Sequence, residues 1–264
     1  MTDARIGDAA DRLTRAARTR TPCAPVRDLI GADDVELAYA VQRRLTEERL
    51  AGGACVVGRK IGLTSPAVQK QLGVDRPDFG VLFDDMDVSG PGLVDSARLL
   101  QPKAEAEVAF VLGADLDGDD LGPASIRAAV RYAVAAIEIV DSRVAGWDIT
   151  FGDTVADNAS SGLFVLGDRR VRLGDFEPAA VTMRLHADGE LASEGTGAAC
   201  LGDPLNALLW LARTARDLGD PLRAGQVVLS GALGPMVPAP PGSTIRAEIS
   251  GLGSVDAAFS KESR

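Results

Sequence analysis

Residues 101–112 read QPKAEAEVAFVL. Glu105 and Glu107 flank an alanine, and every residue from 108 to 112 is apolar. In a strand, residues i and i+2 share a face, so the two glutamates stand side by side, about 7 Å apart at their Cα atoms. A half-exposed strand would go on alternating after Glu107. The unbroken apolar run predicts instead a strand that enters a core covered on both faces. Two carboxylates drawn toward a core repel each other and lose hydration, which raises a pKa or expels one of them. A divalent cation removes both problems. Solvated or salt-bridged glutamates are the competing account, and spacing alone leaves the choice open.

A third carboxylate has the same character. Glu138 sits between Ile137 and Ile139 in YAVAAIEIVDSR, alone in an apolar stretch. Three carboxylates without a histidine or thiolate suit a hard, oxygen-preferring ion, Mg²⁺ or Mn²⁺. The chain has a single histidine, His186, in a strand-then-turn context, and no G-x-S-x-G elbow accompanies it. A Ser-His-Asp triad or a histidine-rich metal centre has little to draw on. Acid–base chemistry would rest on carboxylates, lysine or a metal.

The rest of the chain fits an α+β plan. Ile6, Ala10, Leu13 and Ala17 share one face of an N-terminal helix. Asp33 or Asp34 can cap a second, in which Leu37, Val41 and Leu45 repeat before Gly52-Gly53 ends it. ACVVGRKIGL reads as a short strand, Ser65-Pro66 opens a short helix that Gly73 stops, and VDRPDFG is turn chemistry. A strong helix is expected over 124–136, with Ile126, Val130, Val134 and Ile137 on its apolar face. Another opens at Asp203-Pro204 and carries Leu208, Leu211, Ala215 and Leu218. β-Like segments fall at 136–141, 162–166, 180–186, 226–232, 244–249 and 254–259. Runs of strands with few interleaved helices favour α+β over a doubly wound fold. Residues 1–55 are expected to form a helical N-terminal cap and 56–264 a β-rich catalytic core, or the two count as one domain.

Charge and composition narrow the function. A net charge of −10 makes nucleic acid and anionic membrane surfaces poor partners, and it obliges a site for an anionic substrate to carry a local cation. No apolar run approaches the roughly 18 residues of a membrane span. Cys23, Cys55 and Cys200 form no C-x-x-C arrangement and read as reduced thiols of a cytoplasmic protein. GADLDGDDLGPAS places its glycine fourth from Asp115, where a calcium loop needs it sixth, so it reads as an acidic turn. GTGAAC at 195–200 fails the dinucleotide fingerprint, and no Walker motif exists.

Longer motifs carry more. VGRKIGLTSPAVQKQLGVDRPDFGVLFDDM (57–86), QPKAEAEVAFVL (101–112), DTVADNASSGLFVLG (153–167) and LSGALGPMVP (229–238) together closely resemble the 2-keto-4-pentenoate hydratases of the fumarylacetoacetate hydrolase-like superfamily. The resemblance runs over nearly the whole chain, in order and with few gaps. It implies mixed β-sheets rolled into a barrel-like sandwich, the fumarylacetoacetate hydrolase C-terminal-like fold. It also implies Mg²⁺ or Mn²⁺ held by the E-x-E pair and one later glutamate, which map onto Glu105, Glu107 and Glu138. The implied reaction adds water to 2-hydroxypenta-2,4-dienoate (2-oxopent-4-enoate), giving 4-hydroxy-2-oxopentanoate in meta-cleavage catabolism of aromatic compounds.

With that resemblance, Lys60 becomes the first choice for a catalytic or substrate-orienting charge, its neighbours Gly58 and Gly62 letting substrate approach the backbone. Asp78, in RPDFG, is a candidate to position or deprotonate water, against a plain backbone-capping role in a Pro-Asp turn. Ser160 is a candidate for binding the substrate carboxylate. Asp141, Asp157 and Asn158, with Arg143, are expected to support the groups that touch metal and substrate. Ser161 stands where several hydratases carry cysteine. The 4-oxalocrotonate decarboxylases share the fold and the carboxylate triad and are the main alternative, although GALGPMVP looks more like the hydratases. A fumarylpyruvate-type C–C hydrolase and a non-enzymatic acidic β scaffold rank below. The implied partners are a small 2-oxo acid or dienol substrate, further copies of the chain in a ring-like, pentamer-based homo-oligomer, and neighbouring pathway enzymes.

Overall fold

The computed structural model describes residues 2–65, 69 and 74–261. The short helix expected between Ser65 and Gly73 falls largely outside them. Three helices open the chain: α1 (Thr2–Thr19), α2 (Arg27–Ile30) and α3 (Val35–Ala51). α1 buries Ala9, Ala10, Leu13 and Ala16, close to the stripe expected of it. Asp34 caps α3 by accepting a hydrogen bond from the Leu37 N–H at 3.0 Å, and Gly52 ends it. These helices form a small apolar cluster of their own, completed by Phe151, Val155 and Ala156. The fully buried Asp153 locks that junction: its carboxylate accepts the N–H groups of Val26 (2.8 Å) and Arg27 (2.9 Å) and pairs with the Arg27 guanidinium. A carboxylate this deep is tolerable because both oxygens are hydrogen-bonded.

The strands are β1 (Val56–Gly62), β2 (Asp78–Phe83), β3 (Lys103–Leu112), β4 (Val130–Val140), β5 (Ser161–Leu166), β6 (Thr182–Ala187), β7 (Glu190–Thr196), β8 (Val227–Ala232), β9 (Val237–Pro238), β10 (Thr244–Ile249) and β11 (Gly253–Ala258). They build two sheets. The larger runs β2-β1-β8-β3-β4-β5, with β9 added to β3; the smaller runs β11-β10-β6-β7. β1–β8 is a parallel pair and the other pairs of the large sheet's described strands are antiparallel, so the sheet is mixed. β10 and β11 pack across β4 and β5, and the two sheets close over one main core as a barrel-like sandwich. Among the described residues three further α-helices lie outside the opening group: α4 (Pro123–Ala129), α5 (Phe151–Ala156) and α6 (Pro204–Asp217). α6 buries Leu208, Leu211 and Ala215 as expected, while Leu218 at its C-cap is half exposed. The architecture is α+β. Among the described residues no helix is long and apolar enough to cross a membrane.

Three local expectations are corrected. The helix expected over 124–136 stops at Ala129, and β4 begins at Val130. VRYAVAAIEIV carries helical spacing, but residues 132–137 within it are also a continuous apolar run flanked by strand-forming residues, and periodicity alone cannot separate the two. Its pairing with β3 along nearly the whole strand decides for β. Asp78 is not a turn residue but the first residue of β2, opposite Gly62 of β1. β7 went unseen because ELASEGT buries a single side chain, Ser193, at the sheet margin.

The acidic turn after β3 is structural, as read. Arg223 bridges Asp115 (2.8 Å) and Asp117 (2.6 Å), tying this turn to the segment before β8.

Candidate active site

The β3–β4 register sets Glu105 directly opposite Glu138, on the neighbouring strand. Glu107 lies two residues along β3, on the same face as Glu105. The three carboxylates each offer an oxygen within 4.8 Å of the others. Glu107 and Glu138 are buried; Glu105 is half-buried at the mouth. On the far side β8 delivers one backbone donor, the Gly231 N–H, to Glu107 Oε2 at 2.7 Å. Glu107 Oε1 and Glu138 Oε2 have no hydrogen-bond partner among the described residues.

Burial pushes the Glu107 carboxyl well above its ordinary range, and Glu138 and Glu105 add to the effect. Burial and Glu138 likewise raise Glu105 to about 7, against the pull of Lys60. Such a cluster lacks positive charge. An all-oxygen donor set with two unpartnered buried oxygens fits a hard divalent cation.

Lys60 and Asp78 reach this cluster from β1 and β2. Lys60 is 3% exposed, and its Nζ lies 3.0 Å from Glu138 Oε1. Burial disfavours its charge, but Glu138, Asp78 and Glu105 outweigh that and raise the ammonium above its usual range. Lys60 therefore stays charged. Burial lifts Asp78 to about 6, with Lys60 pulling down and Glu138 pushing up, and its Oδ1 has no partner among the described residues. Packing within the fold already requires the glycines beside Lys60, and Gly62 also lines the cavity. A Cβ on Gly62 would lie 2.2 Å from Asp78 Oδ1, and one on Gly58 would lie 1.9 Å from the Val227 carbonyl of β8. They admit a carboxylate and a neighbouring strand.

The segment from Asp157 to Ser161 supplies Ser160. Asn158, Ala159 and Ser160 are all left-handed, at φ 52, 52 and 53. Three consecutive non-glycine residues there are strained and need external support. Asn158 provides it by pairing with both backbone groups of Val81: Val81 N–H to Oδ1 at 2.8 Å and Nδ2 to Val81 O at 2.9 Å. The approach is close enough that β2 needs Gly80, where a Cβ would sit 2.4 Å from the Asn158 carbonyl. Behind the loop, Asp157 accepts the Arg143 N–H at 2.8 Å, and Arg143 Nη1 donates to the Ser161 carbonyl at 2.8 Å. Asp141 accepts the amides of Leu100 and Gln101, fixing the run into β3.

Lys60, Asp78, Glu105 and Ser160 face one cavity of about 300 Å³, together with Thr64, Lys103, Trp147 and Thr154. Glu107 and Glu138 lie buried beneath it. Asp141, Arg143, Asp157 and Asn158 lie on the other side of the loop and line a separate cavity of about 550 Å³ beside α1 and α3. None of the three clustered glutamates lines the larger cavity, whereas Glu105 lines the smaller one. Sequence reasoning missed Lys103 and Trp147. For Lys103 the signal was present: it precedes Glu105 by two residues and so shares the face of the glutamates. Trp147 had none, since its position depends on a loop distant in sequence.

A profile of the fumarylacetoacetate (FAA) hydrolase C-terminal family matches residues 80–260. The chain belongs to that family. Within the fumarylacetoacetate hydrolase family it falls among the 2-keto-4-pentenoate hydratases. It is 56% identical to the TodF product hydratase of Pseudomonas putida F1, over 97% of this chain and 96% of that one. It is 54% identical to a 2-keto-4-pentenoate hydratase of Burkholderia vietnamiensis, over 98% and 99% of the two chains. Among solved structures it is similar to the 4-oxalocrotonate decarboxylase of Pseudomonas putida G7, complexed with magnesium and adipate. That match has a TM-score of 0.93 and 33% identity over 98% of both chains.

Proposed function

We propose that this protein is a metal-dependent hydro-lyase that adds water to 2-hydroxypenta-2,4-dienoate, giving 4-hydroxy-2-oxopentanoate in meta-cleavage catabolism. The observation that carries the reading is the carboxylate triad beside a charged, buried lysine and a carboxyl lifted to about 6. Glu105, Glu107 and Glu138 would hold Mg²⁺ or Mn²⁺. Bound there, the cation supplies Lewis-acid stabilisation of negative charge developing on the substrate's C2 oxygen.

The chain's own groups do the rest. Ketonisation moves the 2-hydroxyl proton to C5; water then gives its oxygen to C4 and a proton to C3. The Lys60 ammonium orients the anionic substrate over the carboxylates. Asp78, lifted by burial to about 6, accepts the proton of the attacking water and returns it to carbon. The Ser160 hydroxyl, held by the strained loop, donates to the substrate carboxylate. Asp141, Asp157 and Asn158 hold that loop and the approach to β3 in place.

The hydratase reading ranks above decarboxylation because relatives named 2-keto-4-pentenoate hydratase are 51–54% identical, against 33% for the decarboxylase. The near-identical backbone and the adipate complex of that neighbour keep decarboxylation as the second reading. Supplying 2-hydroxypenta-2,4-dienoate and 2-oxohex-3-enedioate separately, with Mg²⁺ or Mn²⁺, distinguishes them. The expected result is loss of dienol ultraviolet absorbance with formation of 4-hydroxy-2-oxopentanoate. Evolution of CO₂ from the dicarboxylate with no dienol hydration would reverse the order.

Residues 1–55 serve as a cap on the 56–264 core, a reading supported by Asp153 and Val155 completing the helical cluster. The motif resemblance supports a cytoplasmic, ring-like homo-oligomer that associates with neighbouring pathway enzymes, which light scattering and co-purification test.

A further inference from the structure

We infer that Lys103, held against the Trp147 ring, is the cation that draws the anionic substrate into the cavity and anchors its carboxylate. This rests on the hydratase reading for the identity of the substrate, and on the geometry for the anchor itself.

The cavity poses an electrostatic problem. The protein carries a net charge of −10, and the carboxylates of Asp78, Glu105, Glu107 and Glu138 converge on this site, so that when all four are ionised one net negative charge remains even with Lys60 and a divalent cation among them. An anion approaching it is repelled at long range unless an uncompensated cation stands nearby. Lys60 is not that cation: buried and paired with Glu138 at 3.0 Å, it can orient a substrate already bound in the cavity but projects little field into solvent. Lys103 is only half-buried and lines the same cavity. Among the described residues it has no carboxylate within ion-pair distance.

What holds its ammonium is an aromatic face, with Nζ 4.3 Å from the Trp147 ring centroid. A cation–π contact positions a charge without neutralising it. The ring is itself fixed. Trp147 Nε1 donates to the Gln101 carbonyl at 3.1 Å, the Gly146 N–H donates to Gln101 Oε1 at 2.7 Å, and Gln101 Nε2 donates to the Ser142 and Val144 carbonyls. Gln101 therefore latches the tryptophan, and the tryptophan presents the ammonium at the mouth, on the face of β3 that also carries Glu105 and Glu107.

Two variants and two readouts test this. Lys103→Met keeps the aliphatic stem against Trp147 and removes the charge; Lys103→Arg keeps the charge. With the dienol, Lys103→Met should raise KM roughly tenfold or more, leave kcat within about twofold, and flatten the fall of kcat/KM with added salt. Lys103→Arg should restore KM and the salt dependence. Calorimetric binding of 2-oxopentanoate, a saturated 2-oxo acid with no double bond to hydrate, to the Mn²⁺-supplied protein should weaken by a similar factor in Lys103→Met. If that binding weakens while the wild type fails to hydrate the dienol, the anchor stands and the hydratase reading falls. If Lys103→Met binds 2-oxopentanoate as the wild type does, the anchor is wrong. A rise in KM that keeps the wild-type salt dependence and is not rescued by arginine would make Lys103 a packing residue and overturn the inference.

Discussion

Lys60 is buried beside three glutamates, and the metal they would hold is also positive. On the proposed function the two cations have different tasks: the metal would balance the cluster, and Lys60, paired with Glu138, would orient the bound substrate. Lys60→Met should therefore still bind Mn²⁺, read by calorimetry, while kcat falls on the order of 100-fold or more. Retained kcat would remove Lys60 from the chemistry. Asp157 shows a different use of a buried acid. Burial raises it to about 6 although Arg143 opposes the shift. Its folded-state pKa lies above its unfolded value, so the native state binds the proton more tightly and the ionised form is the costly one. The stability advantage of the wild type over Asp157→Asn should shrink as pH rises from about 4 to about 6 and stay flat above, measured by urea unfolding. An advantage that grew over that window would show that the Arg143 pair dominates instead.

At the scale of elements, the strained loop and β2 form one unit. Asn158→Ala removes both bonds to Val81 and leaves a buried N–H unpaired, which should cost about 1–3 kcal/mol and lower activity by displacing Ser160. Gly80→Ala should cost a comparable amount, because its Cβ would meet the Asn158 carbonyl. Wild-type kcat/KM in both variants would separate the loop from the site. None of this was legible in DNASSG, which reads as ordinary loop chemistry, because the partner that explains Asn158 is Val81, on a strand whose first three residues read as turn chemistry. β3 was legible, since the period-two glutamates and the apolar run after them are both local properties. β4 was half legible: its carboxylate stood out, but its first residues also satisfied a helical period. Lys103 was overlooked although its parity was visible, for its meaning depends on Trp147, forty-four positions onward in sequence and brought close only by the fold.

For the whole molecule, the candidate site is a junction of β1, β2, β3, β4 and β8, strands far apart in the chain. The resemblance of long motifs could carry ligand identities across, whereas strand order could not be read from any single segment. The carboxylate cluster is also where the fold bears unfavourable charge, so cation binding and stability are linked. Mg²⁺ or Mn²⁺ should raise the melting temperature with increasing concentration, and a chelator should reverse the effect. A melting temperature indifferent to both ions would leave the cluster without its cation.

The most direct test combines Mn²⁺ binding with dienol turnover in the wild type and in Glu107→Gln, a change that keeps the shape of the buried side chain and removes its charge. The account predicts one tightly bound Mn²⁺ per chain and metal-dependent hydration in the wild type, with both lost in a variant that still folds. Glu107→Gln retaining full metal-dependent activity would contradict it.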